Sequence, residues 1–407
     1  MRRRQFRVFI TGVLLAAVVA AGGCAPVDDF DRSLKAIVEP YAFSIIGWEL
    51  VSLPQEIDEW LFVRPDTAVD DVDTVTGYFA SVERIKALES VIAAVRSGDR
   101  QGDAIFLEAE LDGLRREAAS LAPVVEGIIG RQVKEILTRQ GIHNPLLRLE
   151  VSFPPVSFNL SDPPHLLVVS PRDSIESVRE YRLRQNVSAA EAADIEEEVD
   201  SLGVSSLVAE LGGFGGTFPT FVSNRYGLQF AIDTVVEEWL HQYLTFTPLG
   251  FLYLLDSSGI APDYDIATIN ETAAGIVSQE IGEVVYDEYY SHLDSVREPG
   301  PEPEFDFNAE MRQIRLAVDD YLARGEVEPA EAFMEERRQY LAANGYYIRK
   351  LNQAYFAFYG TYADSPTSVS PIGVEMRDLR SRSGSVKDFL DNVVKITSRQ
   401  DLQESIK

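Results

Sequence analysis

The chain has 407 residues and a formal charge of −28, with 45% hydrophobic residues, 17 tyrosines, 21 phenylalanines and a single cysteine. That apolar and aromatic content belongs to a globular chain rather than a disordered one. The length suffices for two or three packed units of roughly 150 residues, and one thiol excludes a disulfide framework or a cysteine-type structural metal site. Such acidity repels phosphates and anionic headgroups, so nucleic acid is excluded as a partner.

At the start, Arg2, Arg3, Arg4 and Arg7 precede an uncharged stretch over residues 8–23, and Ala21-Gly22-Gly23 leads into Cys24. A basic beginning, an apolar run and small residues at a cleavage point form an export signal. The run is shorter than the ~20 residues a bilayer span needs. Cys24 stands where bacterial lipoprotein signals, which this segment resembles, carry the acylated thiol. The resemblance implies removal of 1–23, a diacylglyceryl anchor on Cys24, a tether over 24–30, and a place in the bacterial cell envelope, held to a membrane outside the cytoplasm. A second apolar stretch, 41–62, is no membrane span, because Glu49, Pro54, Glu56, Asp58 and Glu59 interrupt it.

Residues 31–141 read as an N-terminal helical region. Val82, Ile85, Leu88, Val91, Ile92 and Val95 mark one apolar helix face. Leu107, Leu111, Leu114, Ala118 and Leu121 predict another helix, stopped by Pro123 and resumed over 124–140. After His143-Asn144-Pro145 the pattern changes: Leu147, Leu149, Val151 and Phe153 alternate with polar residues as in a half-buried strand. Two further short strands are expected around 156–160 and 166–170. Residues 174–203 read as charged helix, with Glu196-Glu197-Glu198 as a solvated face. The segment around Gly212, Gly213, Gly215 and Gly216 lacks the lysine of a phosphate loop. It is a candidate either for pairing with substrate backbone or for a plain turn.

Residues 229–244 predict a helix, 246–255 an apolar connection broken at Pro248 and Gly250, and 269–292 a second long helix. The proline-rich stretch 297–304 reads as a linker before a C-terminal helical region, 305–407, interrupted at Asn344-Gly345 and over 364–373. The core would then cover 142–296.

Chemistry concentrates on the two central helices. Glu237 and His241, four residues apart, share a helix face, and Glu238 sits where a metalloprotease keeps its general base. Glu271, beside Asn270 and before small alanines, can supply a third ligand from a following helix. The segment 235–282, with Glu237-Glu238-Trp239-Leu240-His241 and Asn270-Glu271-Thr272-Ala273-Ala274, resembles gluzincin-type (HExxH…NExxA) aminopeptidase-like envelope lipoproteins. Leu351-Asn352-Gln353-Ala354 with Tyr359 and Tyr362 resembles a C-terminal motif of the same proteins. The resemblance implies an α+β, predominantly helical fold: a zincin-like core with a small β-sheet and an active-site helix pair, flanked by N- and C-terminal helical regions. It carries over His241 and Glu271 as metal ligands and Glu238 as general base.

Glu237 departs from the pattern, standing where the first ligating imidazole belongs. A His, His, Glu shell leaves Zn²⁺ with a net charge of +1; a second carboxylate reduces it to zero. The ion then polarises a carbonyl and acidifies water less, and preference moves from Zn²⁺ toward harder Mn²⁺. The expected cofactor is one divalent ion or none. Two functions follow: a metallopeptidase-like protein with catalysis impaired or absent, binding peptides or envelope proteins, or an active metal-dependent aminopeptidase using Glu238. A di-iron helix site, which Glu238 and His241 also suggest, needs a second Glu-x-x-His. His143, His165 and His292 lack it and read as ordinary structural or exposed residues. Tyr286, Tyr289 and Tyr290 read as core.

Overall fold

A computed structural model describes residues 29–43, 71–97, 100–145, 152–291, 305–362 and 365–407. Cys24, the signal, most of the tether, the alternating segment 146–151, His292 and the linker 297–304 lie outside them. In chain order come α1 (Asp29–Val38), α2 (Asp71–Ser97), α3 (Ala104–Arg139), β1 (Phe158–Leu160), β2 (His165–Ser170), β3 (Arg179–Leu183), α4 (Ala189–Asp200), β4 (Ser205–Ala209), β5 (Gly213–Phe214) and β6 (Thr220–Val222). Then follow α5 (Leu228–Leu244), α6 (Pro248–Ser257), α7 (Tyr264–Tyr289), α8 (Phe307–Ala323), α9 (Val327–Ala343), α10 (Gln353–Tyr359), α11 (Ile372–Arg382), α12 (Val386–Val393) and α13 (Arg399–Ser405). Among the described residues the fold is predominantly helical α+β, with two three-stranded sheets where one was expected.

The helix α7 is the axis of the main core. Ile269, Ala273, Ala274, Val277, Ile281 and Val285 are all buried, and so are Thr268, Asn270, Glu271 and Thr272 on its other sides. A helix covered all round is apolar all round unless function requires otherwise, so Asn270 and Glu271 stand out. α7 packs against α3, α5, α6, α11, α12 and α13. One apolar cluster draws on α2, α3, α5 and α7 and on the C-terminal helices α11 to α13.

The sheet β3–β2–β4 is antiparallel throughout. The period of two in β2 separates its faces: Leu167 and Val169 join α1 and α4, while Leu166 and Val168 join α10. The outer edge of β4 is closed by side chains, which removes an edge open to aggregation. Glu196 accepts from the Val208 N–H at 2.6 Å, Arg349 donates to the Val208 carbonyl at 3.0 Å, and Asn352 donates to the Ser206 carbonyl at 2.8 Å. The same Glu196 takes two hydrogen bonds from Arg349.

Several expectations are corrected here. Glu196 is 3% exposed and clamps the sheet edge; only Glu197 and Glu198 face solvent. Residues 174–203 are interrupted by β3, whose Arg179-Glu180-Tyr181-Arg182-Leu183 buries one residue fully and so shows no clear alternation. Pro123 does not stop the helix: α3 runs on for 36 residues. A proline forfeits one backbone hydrogen bond, and burial of Ala118, Ala122, Val125 and Ile129 around it offsets that cost. Residues 248–257 form a helix rather than a broken connection. Pro248 occupies the first turn, where its missing N–H is harmless, and the Thr247 hydroxyl caps the Gly250 N–H at 3.3 Å. Of the first expected strand, 147–153, only 152 and 153 are described and they are irregular, and the second is confined to β1.

Because Glu196 is a buried charge serving two partners, its removal leaves both Arg349 and the β4 edge unsatisfied. Glu196→Ala is expected to cost about 3 kcal/mol, read as a lowered midpoint in urea unfolding, whereas Glu197→Ala should leave the midpoint unchanged.

Candidate metal centre

Two close approaches bring α5 and α7 together. A side chain at Gly282 would meet Asp233 Oδ1 at 1.9 Å, so the helices touch there through a glycine. At the other end, Gly250 lies against the Leu244 carbonyl, where a Cβ would come within 2.0 Å, and this tight turn folds α6 back beside α5. The opposite face of α5 is anchored in the core by Trp239, whose indole N–H donates to the Pro154 carbonyl at 2.8 Å. With α5 held on both sides, Glu237 and His241 face Glu271.

Ligand atoms of Glu237, His241 and Glu271 lie within 4.8 Å of one another, the one such group among the described residues. His241 Nε2 is 3.6 Å from Glu271 Oε2, too long for a hydrogen bond. His241 Nδ1–H donates to Asn270 Oδ1 at 2.9 Å. That fixes the ring and leaves Nε2 free to ligate, the usual arrangement behind a metal-bound imidazole. Tyr253 of α6 stacks on the imidazole at 5.7 Å and donates its hydroxyl to Glu271 Oε1 at 2.5 Å. Glu271 Oε2 is buried and has no hydrogen-bond partner. Leaving a buried carboxylate oxygen unpaired is expensive, so the donor set fits a cation bound between the three groups.

Glu238 is placed differently. It faces the glycine-rich segment, where a Cβ on Gly213 or Gly215 would come within 2.3 or 2.7 Å of its carboxylate oxygens. The Gly215 backbone favours its charged form, the smallest of the influences on this carboxyl. One turn on, Gln242 donates to the Gly215 and Thr217 carbonyls, at 3.3 and 2.8 Å. The glycines therefore serve to bring β5, the edge strand of the order β1–β6–β5, against Glu238.

Electrostatics follow from crowding acids in a buried space. Burial, with Glu271 and Asp233 nearby, pushes the Glu237 carboxyl up to about 7; burial, with Glu237 and Glu271, pushes Glu238 up to about 8. For His241, burial alone favours the neutral ring, but Glu271, Glu238 and Glu237 outweigh it and raise the imidazole to about 10. Burial also acts upward on Glu271, yet the His241 charge and the Tyr253 hydrogen bond hold it below the usual carboxylate value. A protonated His241 is thus the counter-ion of the metal-free cluster.

Sequence reasoning missed Tyr253 and the link to Tyr362. Burial and the charges of Glu271, Glu237 and Glu238 push Tyr362 well above the ordinary phenol value, which places its hydroxyl in the field of the site. Glu180 of β3, raised by burial and then by Asp256 and Glu271, lies in the same field. Tyr290 is buried in the main core and Tyr286 and Tyr289 pack against it; Tyr286 is ~22 Å along α7 from Glu271 at 1.5 Å per residue. No protein family, curated protein or solved structure matches the chain.

Two outcomes follow from this geometry. Gly282→Ala should lower stability by about 1–3 kcal/mol through the clash with Asp233. Gly275→Ala, on the same helix with no atom near the new methyl, should raise it by up to ~1 kcal/mol through helix propensity; thermal unfolding of the pair reads the difference. Metal binding requires a neutral His241 and an ionised Glu237, both of which hold protons near neutrality in the metal-free protein. Affinity for Zn²⁺ or Mn²⁺ should therefore rise with pH, at least tenfold per unit between pH 6 and 7, with proton release visible in calorimetry across buffers. A flat pH profile would place the ion elsewhere.

Proposed function

We propose that this protein is a lipid-anchored, metallopeptidase-like component of the bacterial cell envelope. Its site takes one divalent cation, and hydrolysis is impaired by Glu237. The observation that carries the reading is the convergence of Glu237, His241 and Glu271 around one point, with a buried Glu271 oxygen that accepts no hydrogen bond. The pairing of α5 with α7, and of β5 with Glu238, supports a zincin-like core. The arginine-led signal and Cys24 support the anchor.

A bound divalent ion would polarise a scissile carbonyl and make water easier to deprotonate. The chain's own part is distinct. A peptide lying along the free edge of β5 would pass in front of Glu238, whose carboxylate takes the proton from an attacking water and returns it to the leaving amine. Asn270 keeps the imidazole in one tautomer, and Tyr253 holds Glu271 in one orientation. Tyr362, whose phenol is pushed up by burial and by Glu271, Glu237 and Glu238, keeps its hydroxyl proton in the field of these acids.

Glu237 sets the limit. Two carboxylates and one imidazole cancel the ion's charge, so the electrophile is weaker than with two imidazoles, and Mn²⁺ becomes competitive with Zn²⁺. The competing reading, an unimpaired aminopeptidase, draws on the same placement of Glu238 against β5.

Peptidase assays of the metal-loaded protein separate these readings. The wild type should be slow, Glu237→His should hydrolyse peptides at least tenfold faster, and Glu238→Gln should abolish turnover while still binding metal. A wild type faster than Glu237→His would establish the unimpaired enzyme; hydrolysis that persists in Glu238→Gln would remove the site from the chemistry.

A further inference from the structure

On the side of the β3–β2–β4 sheet where the β4 edge is clamped, a cavity of about 320 Å³ opens between β4, α9 and the segment leading into α10. Its wall carries Arg172, Lys350, Asp200, Glu331, Asn352 and Gln353, none of which the candidate metal centre uses. We propose that this cavity binds a small zwitterion carrying both an ammonium and a carboxylate, a free amino acid or a dipeptide.

Three observations carry the proposal. The volume falls at the lower end of the range for small-molecule pockets, which suits a ligand of that size. The wall bears two cations and two anions in local pairs: Arg172 holds Glu331 through two hydrogen bonds at 2.8 and 2.7 Å, and Lys350 holds Asp200 at 2.7 Å. In a chain of charge −28, this lining is balanced. A lone anion entering it meets two carboxylates, and a lone cation meets two bases. A zwitterion meets an opposite charge at each end.

The third observation is Gln353, which is fully buried. Its amide N–H₂ donates to the Arg172 carbonyl at 2.6 Å, and its Oε1 has no hydrogen-bond partner. Pairing of the amide nitrogen fixes which end of the side chain is left over. A buried acceptor without a donor costs about 1–3 kcal/mol, and a small shift of this side chain toward the cavity lets a ligand ammonium supply the missing donor beside Glu331. The carboxylate end then falls to Lys350, which spends one contact on Asp200 and a longer one, 3.5 Å, on Glu196.

The test is isothermal titration of the full chain, kept metal-free with EDTA, using glycine, L-alanine and glycylglycine, with acetate and methylamine as half-ligands. Saturable binding of a zwitterion, at least tenfold tighter than either half-ligand, is expected. It should weaken at least tenfold in Gln353→Leu and be unchanged in Glu271→Gln. Lys350→Gln, at a partly exposed position, serves as a second variant should Gln353→Leu fail to fold, and should weaken binding likewise. No saturable heat from any zwitterion would mean a water-filled cleft only and overturn the proposal. Binding lost in Glu271→Gln, or intact in the folded cavity variants, would overturn it by placing the ligand elsewhere.

Discussion

The close packing of α5 on α7 is the constraint on which the rest depends. It brings Glu237, Glu238 and Glu271 around a single imidazole inside the main core, where each carboxylate loses water and nearby acids push Glu237 and Glu238 further up. Such a cluster is tolerable only with positive charge at its centre. A proton on His241 supplies one unit; a divalent ion supplies two and relieves the unpaired Glu271 oxygen. The surrounding structure serves this arrangement: Gly282 lets the helices touch, the Gly250 turn returns Tyr253 to Glu271, and Asn270 fixes the ring.

The two sheets do different work. In β3–β2–β4 the exposed edge is sealed by Glu196, Arg349 and Asn352, so the C-terminal segment is bound to the middle of the chain through ionic and backbone contacts. In β1–β6–β5 the edge strand is short, rich in glycine, and held by Glu238 and Gln242 from α5. One edge is closed by charged side chains, and the other is kept narrow beside a candidate general base. That asymmetry is a physical reason to seek substrate at β5.

Much of this was legible in the sequence, for reasons that differ by element. The i, i+4 spacing of Glu237 and His241 determines a shared helix face, and small residues after Glu271 permit the approach of a second helix, so the triad could be named beforehand. β2 declared itself by its short apolar run, Leu166 to Val169, after Pro163-Pro164. What stayed hidden depended on distant partners. Glu196 looks like its acidic neighbours until Arg349 covers it, and Pro123 looks like a stop until burial on both sides holds the helix through it. β3, with charged residues on one face, alternates too weakly to read. Tyr253 stays hidden because Pro248 and Gly250 give the helix that carries it the pattern of a broken connection.

The most direct measurement is anomalous diffraction from crystals grown with Zn²⁺ or Mn²⁺, recorded on both sides of the metal edge. One strong peak is expected between Glu237, His241 and Glu271, at ~2.0–2.2 Å from His241 Nε2 and from a carboxylate oxygen of each glutamate. A clear peak at another set of residues, or a fully ordered site at pH 8 with no peak and the three side chains turned apart, would contradict it.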